Sequence, residues 1–142
     1  ARNVGTVMMW VWQDPEQGKF VQNLFDVEGR EIYATTRIRF GSAVETGHTK
    51  GGASIQVKHD IPLGEWYHLA VCQDEEAIKV YVNVDRIGKS KFDLPSRNHH
   101  YETVTVDPDK IKENAQLAGI RIYNLTPSPE LLEAVMKSTD PR

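Results

Sequence analysis

Tyrosine and arginine recur at alternate positions in several short segments, and this spacing carries the chain's most specific chemical suggestion. Tyr33, Arg37 and Arg39 alternate with Ala34, Ile38 and Phe40; Lys79 and Tyr81 alternate with Ile78, Val80 and Val82; Arg121 and Tyr123 flank Ile122. Aromatic rings pack on the apolar C–H face of a pyranose, and Arg or Asn gives directional hydrogen bonds to hydroxyls or carboxylates. Trp12, ending an apolar run, adds a candidate platform. The sequence thus nominates Trp12, Tyr33, Arg37, Arg39, Tyr81, Arg121 and Tyr123 as a ligand-binding set, with Tyr33, Arg37, Tyr81 and Arg121 expected on one exposed sheet face. The expected ligand is a glycan or polysaccharide, and the basic residues mildly favour an acidic one. The same residue types also stabilise exposed antiparallel strands, so the stripe has an ordinary explanation beside the functional one. Trp10 and Trp66 read as core.

Other chemistry finds less support. Asp74-Glu75-Glu76 sits where a hairpin tip is expected, and water there keeps carboxylates near their ordinary pKa. His48, His59, His68, His99 and His100 form neither HExxH nor His-x-His. His68 is expected in the core or an interface with its hydrogen bonds satisfied. His99 and His100, adjacent on extended chain, point apart and have no third ligand, so no metal is expected. Asn83 to Ser90 (NVDRIGKS) is one residue short of a P-loop, and KFDLPSRN after it lacks the helix that would receive a phosphate. Ser42 and Ser54 lack a G-x-S-x-G setting, and Cys72 alternates into a strand core, so no activated nucleophile is evident. Asn124-Leu125-Thr126 has the form of a glycosylation sequon, disfavoured by Pro127.

The elements that must position these residues are mostly strands. TVMMWVW (6–12) is β-branched, aromatic and apolar on both faces, as a central strand would be. FVQNLFD (20–26) is a second strand. A third runs over 32–40, with Ile32, Ala34, Thr36, Ile38 and Phe40 facing one way. Ala53, Ile55 and Val57 alternate after a Gly-rich loop at 41–52. Pro62-Leu63-Gly64 marks a turn before a second two-faced run, 66–72. Strands over 78–82, 103–106 and 116–123 complete the set. Ser128-Pro129-Glu130 offers an N-cap, a proline at the first helical position and an early acid, which predicts a helix over 129–137. Residues 109–115 suggest at most a turn or two of helix. Short strands at regular spacing indicate an all-β sandwich or barrel.

PLGEWYHLAV at 62–71 resembles the laminin-G-like branch of the concanavalin A-like jelly rolls. TVMMWVW resembles that family's first core strand. KVYVNVDRIG (79–88) resembles the strand, turn and strand after the Trp block, and GIRIYNLTPSPELL (119–132) the closing strand and short helix. The resemblance implies a two-sheet antiparallel jelly-roll sandwich with one short C-terminal helix. Departures stand out. Val84 replaces a glycine of the usual two-residue turn, and a β-branched residue avoids φ > 0, so a longer or different turn is expected. Pro127 replaces an apolar residue under the helix start. The family's strand before Thr6 is nearly absent, leaving a sheet edge to be covered. No cofactor is expected: the family allows a structural calcium, but the acid often found before its last strand is Ala118 here. Hydrolases of this fold carry Glu followed two residues later by Asp, a pairing suited to retaining hydrolysis. No Glu in this chain has that partner.

The chain has 142 residues, 17 Lys and Arg against 20 Asp and Glu, and a formal net charge of −3. That balance argues against nucleic acid, and no apolar run approaches the ~20 residues of a membrane span. The single Cys72 excludes an intrachain disulfide. Residues 1–142 are expected to form one laminin-G-like β-sandwich domain, lacking the usual first strand. The leading functional reading is a non-catalytic, carbohydrate-binding recognition module, part of a larger extracellular or cell-surface protein. A laminin-G-type adhesion module that binds another protein through loops 41–52 and 96–101 is the alternative. A glycoside hydrolase or polysaccharide lyase ranks last.

Overall fold

The apolar run GTVMMWVWQ forms strand β1 (Gly5–Gln13), buried throughout except for a half-buried Trp12. The computed structural model describes residues 4–16, 22–27, 30–34, 38–41, 54–57, 63–74, 77–91, 104–106 and 115–142. Beyond β1 the strands are β2 (Gln22–Val27), β3 (Arg30–Ala34), β4 (Ile38–Gly41), β5 (Ser54–Val57) and β6 (Tyr67–Gln73). They continue with β7 (Ala77–Val82), β8 (Asp85–Lys91), β9 (Val104–Thr105) and β10 (Ala115–Tyr123), and helix α1 spans Pro129–Ser138. Among the described residues two antiparallel sheets of five strands result, ordered β10-β1-β6-β7-β8 and β5-β4-β3-β2-β9.

Strand β1 lies inside the first sheet with both faces covered, which is why its sequence is apolar at consecutive positions. Val7, Met9 and Val11 share one face with Gln13, whose Oε1 accepts the buried Tyr67 hydroxyl at 2.7 Å. Leu69, Val71, Val80 and Val82 extend this face and form the inter-sheet core. The opposite face of β1 meets α1. Met8, Ala70, Leu132 and Val135 cluster there, with Tyr81, Val84, Tyr123 and Leu131 around them. Thr6 donates through Oγ1 to the Leu125 carbonyl at 2.7 Å, tying down the segment that leads to the helix.

The predicted helix is present and starts as expected. Ser128 Oγ accepts the Leu131 N–H at 3.1 Å, Pro129 opens the first turn, and Glu130 and Lys137 complement the helix ends. Pro127 is buried, so it still fills the space under the helix start.

Two local expectations are corrected. The single strand expected over 32–40 is a pair, β3 and β4, in register Ile32↔Phe40, Tyr33↔Arg39 and Ala34↔Ile38. Even-numbered residues oppose even-numbered ones, so a folded-back chain and a straight one show the same alternation. The β7–β8 turn is the short one after all: Val82 pairs with Asp85, and Asn83 (φ 49°) and Val84 (φ 78°) both take the left-handed region. Val84 tolerates this strained backbone while packing against the α1 cluster. The P-loop-like NVDRIGKS is this turn running into β8, with no helix after the turn. The loop at 41–52 beyond Gly41, which closes β4, the loop at 96–101 and most of 109–115 lie outside the described residues; Ala115 opens β10.

Candidate functional site

A cleft of about 440 Å³ opens where β1 ends and β6 begins, lined by Trp12, Gly64, Glu65, Trp66, Asn83 and Arg142. Register positions the two indoles. Val11 pairs with Tyr67, so Trp12 and Trp66 lie one step beyond the last pair of adjacent strands. Both are half-buried. The turn before β6 is held to β1 by the Gly64 N–H, which donates to the Gln13 carbonyl at 2.7 Å. Gly64 has φ +77°, and a Cβ there would meet Pro15 Cγ at 3.0 Å, so a side chain at this position would push the turn away from the end of β1. Glu65 is exposed beside it, and no hydrogen bond or ion pair engages its carboxylate among the described residues.

Asn83 is fixed by two bonds to the start of β6: its N–H donates to the His68 carbonyl and its Oδ1 accepts the His68 N–H, both at 2.9 Å. With its oxygen committed, its amide NH2 is the group it can offer a ligand. Arg142 comes from the segment after α1. Its Nε and Nη2 donate to the Asp140 carboxylate at 3.0 and 2.9 Å, and its backbone N–H donates to Asp140 Oδ1 at 2.9 Å. The guanidinium holds the Asp140 carboxyl below its usual range. Its carbon also lies 4.8 Å from the centre of the Trp10 ring.

Trp10 is core, as expected, and lies under α1. Its Nε1 donates to the Met136 carbonyl and to Thr139 Oγ1, both at 3.1 Å. His68 meets its ring at 5.5 Å in an edge arrangement. His68 is buried, yet its Nε2 has no hydrogen-bond partner among the described residues, contrary to the expectation of a satisfied histidine. Burial lowers its pKa to about 4. Burial also raises the Cys72 thiol, which disfavours the thiolate a nucleophile needs.

Of the nominated residues, Trp12 lines the cleft, whereas Tyr81, Arg121 and Tyr123 are not among the described residues that line it. Arg121, Met8, Ala70 and Tyr81 are successive cross-strand partners, so Arg121 and Tyr81 share the α1-bearing face of the first sheet. Tyr81 and Tyr123 are half-buried against the α1 cluster, and burial raises the Tyr81 phenol. Arg121 is exposed, with Nη1 donating to the neighbouring Ile120 carbonyl at 3.0 Å. Lys79 pairs with Asp74 at 3.0 Å. Tyr33 and Arg39 are cross-strand partners in the other sheet, so the expected common face for Tyr33, Tyr81 and Arg121 is corrected. Arg37 lies outside the described residues, as do His48, His59, His99, His100 and Ser42. Sequence reasoning missed Glu65, Asn83 and Arg142 and assigned Trp66 to the core. The one signal available was that Trp12 and Trp66 each stand at the end of an apolar strand.

Residues 2–131 match the laminin-G-like family described as the Concanavalin A-like lectin/glucanases superfamily. The chain belongs to this superfamily. The laminin-G-like resemblance and the jelly-roll fold expected from it are thereby established. Among curated protein sequences, none matches the chain. Solved structures agree on the fold. One is the binding domain of botulinum neurotoxin DC in complex with rat synaptotagmin II, with a TM-score of 0.73 at 12% identity, covering 96% of this chain and 36% of that one. A second is the receptor-binding domain of botulinum neurotoxin C/D mosaic serotype, with a TM-score of 0.71 at 10% identity and the same coverages. A third concerns botulinum neurotoxin type C, whose cell entry depends on interaction with two ganglioside molecules; it gives a TM-score of 0.68 at 14% identity, again with 96% and 36% covered. The chain thus spans about a third of the length of these structures.

Proposed function

We propose that this domain is a non-catalytic recognition module that binds a glycan in the Trp12–Trp66 cleft. The carrying observation is that cleft: two half-buried indoles beside a carboxylate, a carboxamide and a guanidinium. Indole faces supply apolar contact to sugar C–H groups, and the three polar groups supply donors and acceptors for hydroxyls. Glycoside hydrolysis needs a pair of carboxyl groups flanking the bond, whereas Glu65 is the one carboxylate among the described residues that line this cleft. The ganglioside interaction of a fold relative supports a sugar ligand, and the synaptotagmin complex of another supports a protein partner as the second reading. The proposed location is extracellular or cell-surface, where glycans are displayed.

A glycan array followed by calorimetry on the strongest hit tests this. An open site implies weak binding, and Trp66→Ala should cost at least about 1 kcal/mol of affinity by removing a stacking surface. Unchanged affinity in both Trp66→Ala and Trp12→Ala would move binding elsewhere.

A further inference from the structure

The charges around the cleft point to the class of sugar, an inference that rests on the glycan-binding reading above. The basic residues of the sequence stripe suggested an acidic ligand, but Arg121 and Lys79 do not line the cleft. Among the described residues that line it the cation is Arg142, and it is already engaged. Two of its side-chain nitrogens and its backbone N–H bind the Asp140 carboxylate, and its guanidinium carbon lies 4.8 Å from the centre of the Trp10 ring. Asp140 holds the Nε/Nη2 edge and neutralises the guanidinium, so an incoming carboxylate meets only the Nη1 side of an arginine whose charge is already compensated. Glu65, by contrast, is exposed at the cleft wall with no partner among the described residues. Asp140 and Arg142 cancel, so among the described lining residues the charge left over is that of Glu65.

We infer that the Trp12–Trp66 cleft selects uncharged, hydroxyl-rich glycans and disfavours those carrying uronic or sialic acid. Glu65 acts as an acceptor for sugar hydroxyls and repels a sugar carboxylate. Two like charges 4–6 Å apart in water repel enough to weaken binding roughly three- to five-fold at low salt.

The test uses matched pairs on the full chain: lacto-N-neotetraose beside its sialylated form, and chitin oligosaccharides beside hyaluronan oligosaccharides, titrated by calorimetry at low and high salt. The expected result is binding of the uncharged member, with its carboxylated counterpart at least about three-fold weaker. That gap should close in Glu65→Gln and narrow with salt, while Trp66→Ala weakens both members. Stronger binding of the carboxylated member, lost in Arg142→Ala, would overturn the inference and leave the sugar site standing. Binding indifferent to Trp66→Ala and Trp12→Ala, or absent for every sugar, would instead overturn the glycan-cleft reading itself, and the inference with it.

Discussion

Trp10 and Trp12 lie on the same face of β1, two residues apart, and their surroundings give them different work. Trp10 is 1% exposed, with its indole N–H bonded at the C-terminal end of α1. Trp12 is half-buried and lines the cleft. Alternation assigns both to one face but does not say where the covering element stops, so the sequence could not separate them. His68 is likewise legible as buried but not as unpartnered. Its folded pKa of about 4 lies below the 6.5 of an exposed histidine. The unfolded chain therefore takes up this proton more readily, and stability contributed by the neutral ring is complete above pH 6.5. It falls as pH drops from 6.5 and levels off near 4, with a loss of at most about 3 kcal/mol. Denaturant midpoints between pH 7 and 5 should show this decline in the parent chain and a flatter profile in His68→Leu. Equal declines would mean that other groups carry the acid sensitivity.

At the scale of elements, the docking of α1 depends on an irregularity in β10. The β1–β10 register shifts between Met8↔Arg121 and Trp10↔Ala118, and Gly119 sits in that bulge with φ +62°. A Cβ on Gly119 would stand 2.7 Å from Thr139 Cβ and 3.1 Å from its carbonyl oxygen. Thr139 closes α1, with its N–H and Oγ1 both donating to the Val135 carbonyl, and its Oγ1 also accepts the Trp10 N–H. Gly119→Ala therefore combines an unfavourable backbone with a clash at the helix end. It should cost about 2–3 kcal/mol, and a red shift of tryptophan emission should report the Trp10 indole meeting water. An unshifted spectrum with an unchanged melting temperature would show that α1 docks independently of the bulge. The strands and α1 were legible because apolar period and capping residues act locally. The β3–β4 reversal was not, since the antiparallel pairing preserves the parity that a single straight strand would show. Val84 misled for a different reason: packing against the α1 cluster outweighs its backbone preference.

At the scale of the whole molecule, the question is which surface is left for a ligand once the sandwich and its helix are assembled. Period-2 patterning tells which residues share a face within a sheet and nothing about which sheet a strand joins, so Tyr33 and Arg39 were grouped with residues of the opposite layer. The cleft was harder still to read, because its residues come from the end of β1, the turn before β6, the β7–β8 turn and the segment after α1. On the first sheet, α1 covers Met8 and Ala70 and has Tyr81 and Tyr123 packed around it, so the middle of that face is closed to a flat sugar site. The cleft beyond the helix end remains open. Tyr81 then serves packing, and Arg121 is ordinary exposed surface. Tyr81→Ala should lower stability by about 1–3 kcal/mol with sugar affinity retained, since a half-buried ring loses part of its contact on truncation. Arg121→Ala should change both quantities by less than about 0.5 kcal/mol, as surface substitutions do. Thermal melts paired with calorimetry on one glycan would separate the two roles. A loss of affinity in Arg121→Ala as large as that in Trp66→Ala would return the binding site to the strand face beside the helix.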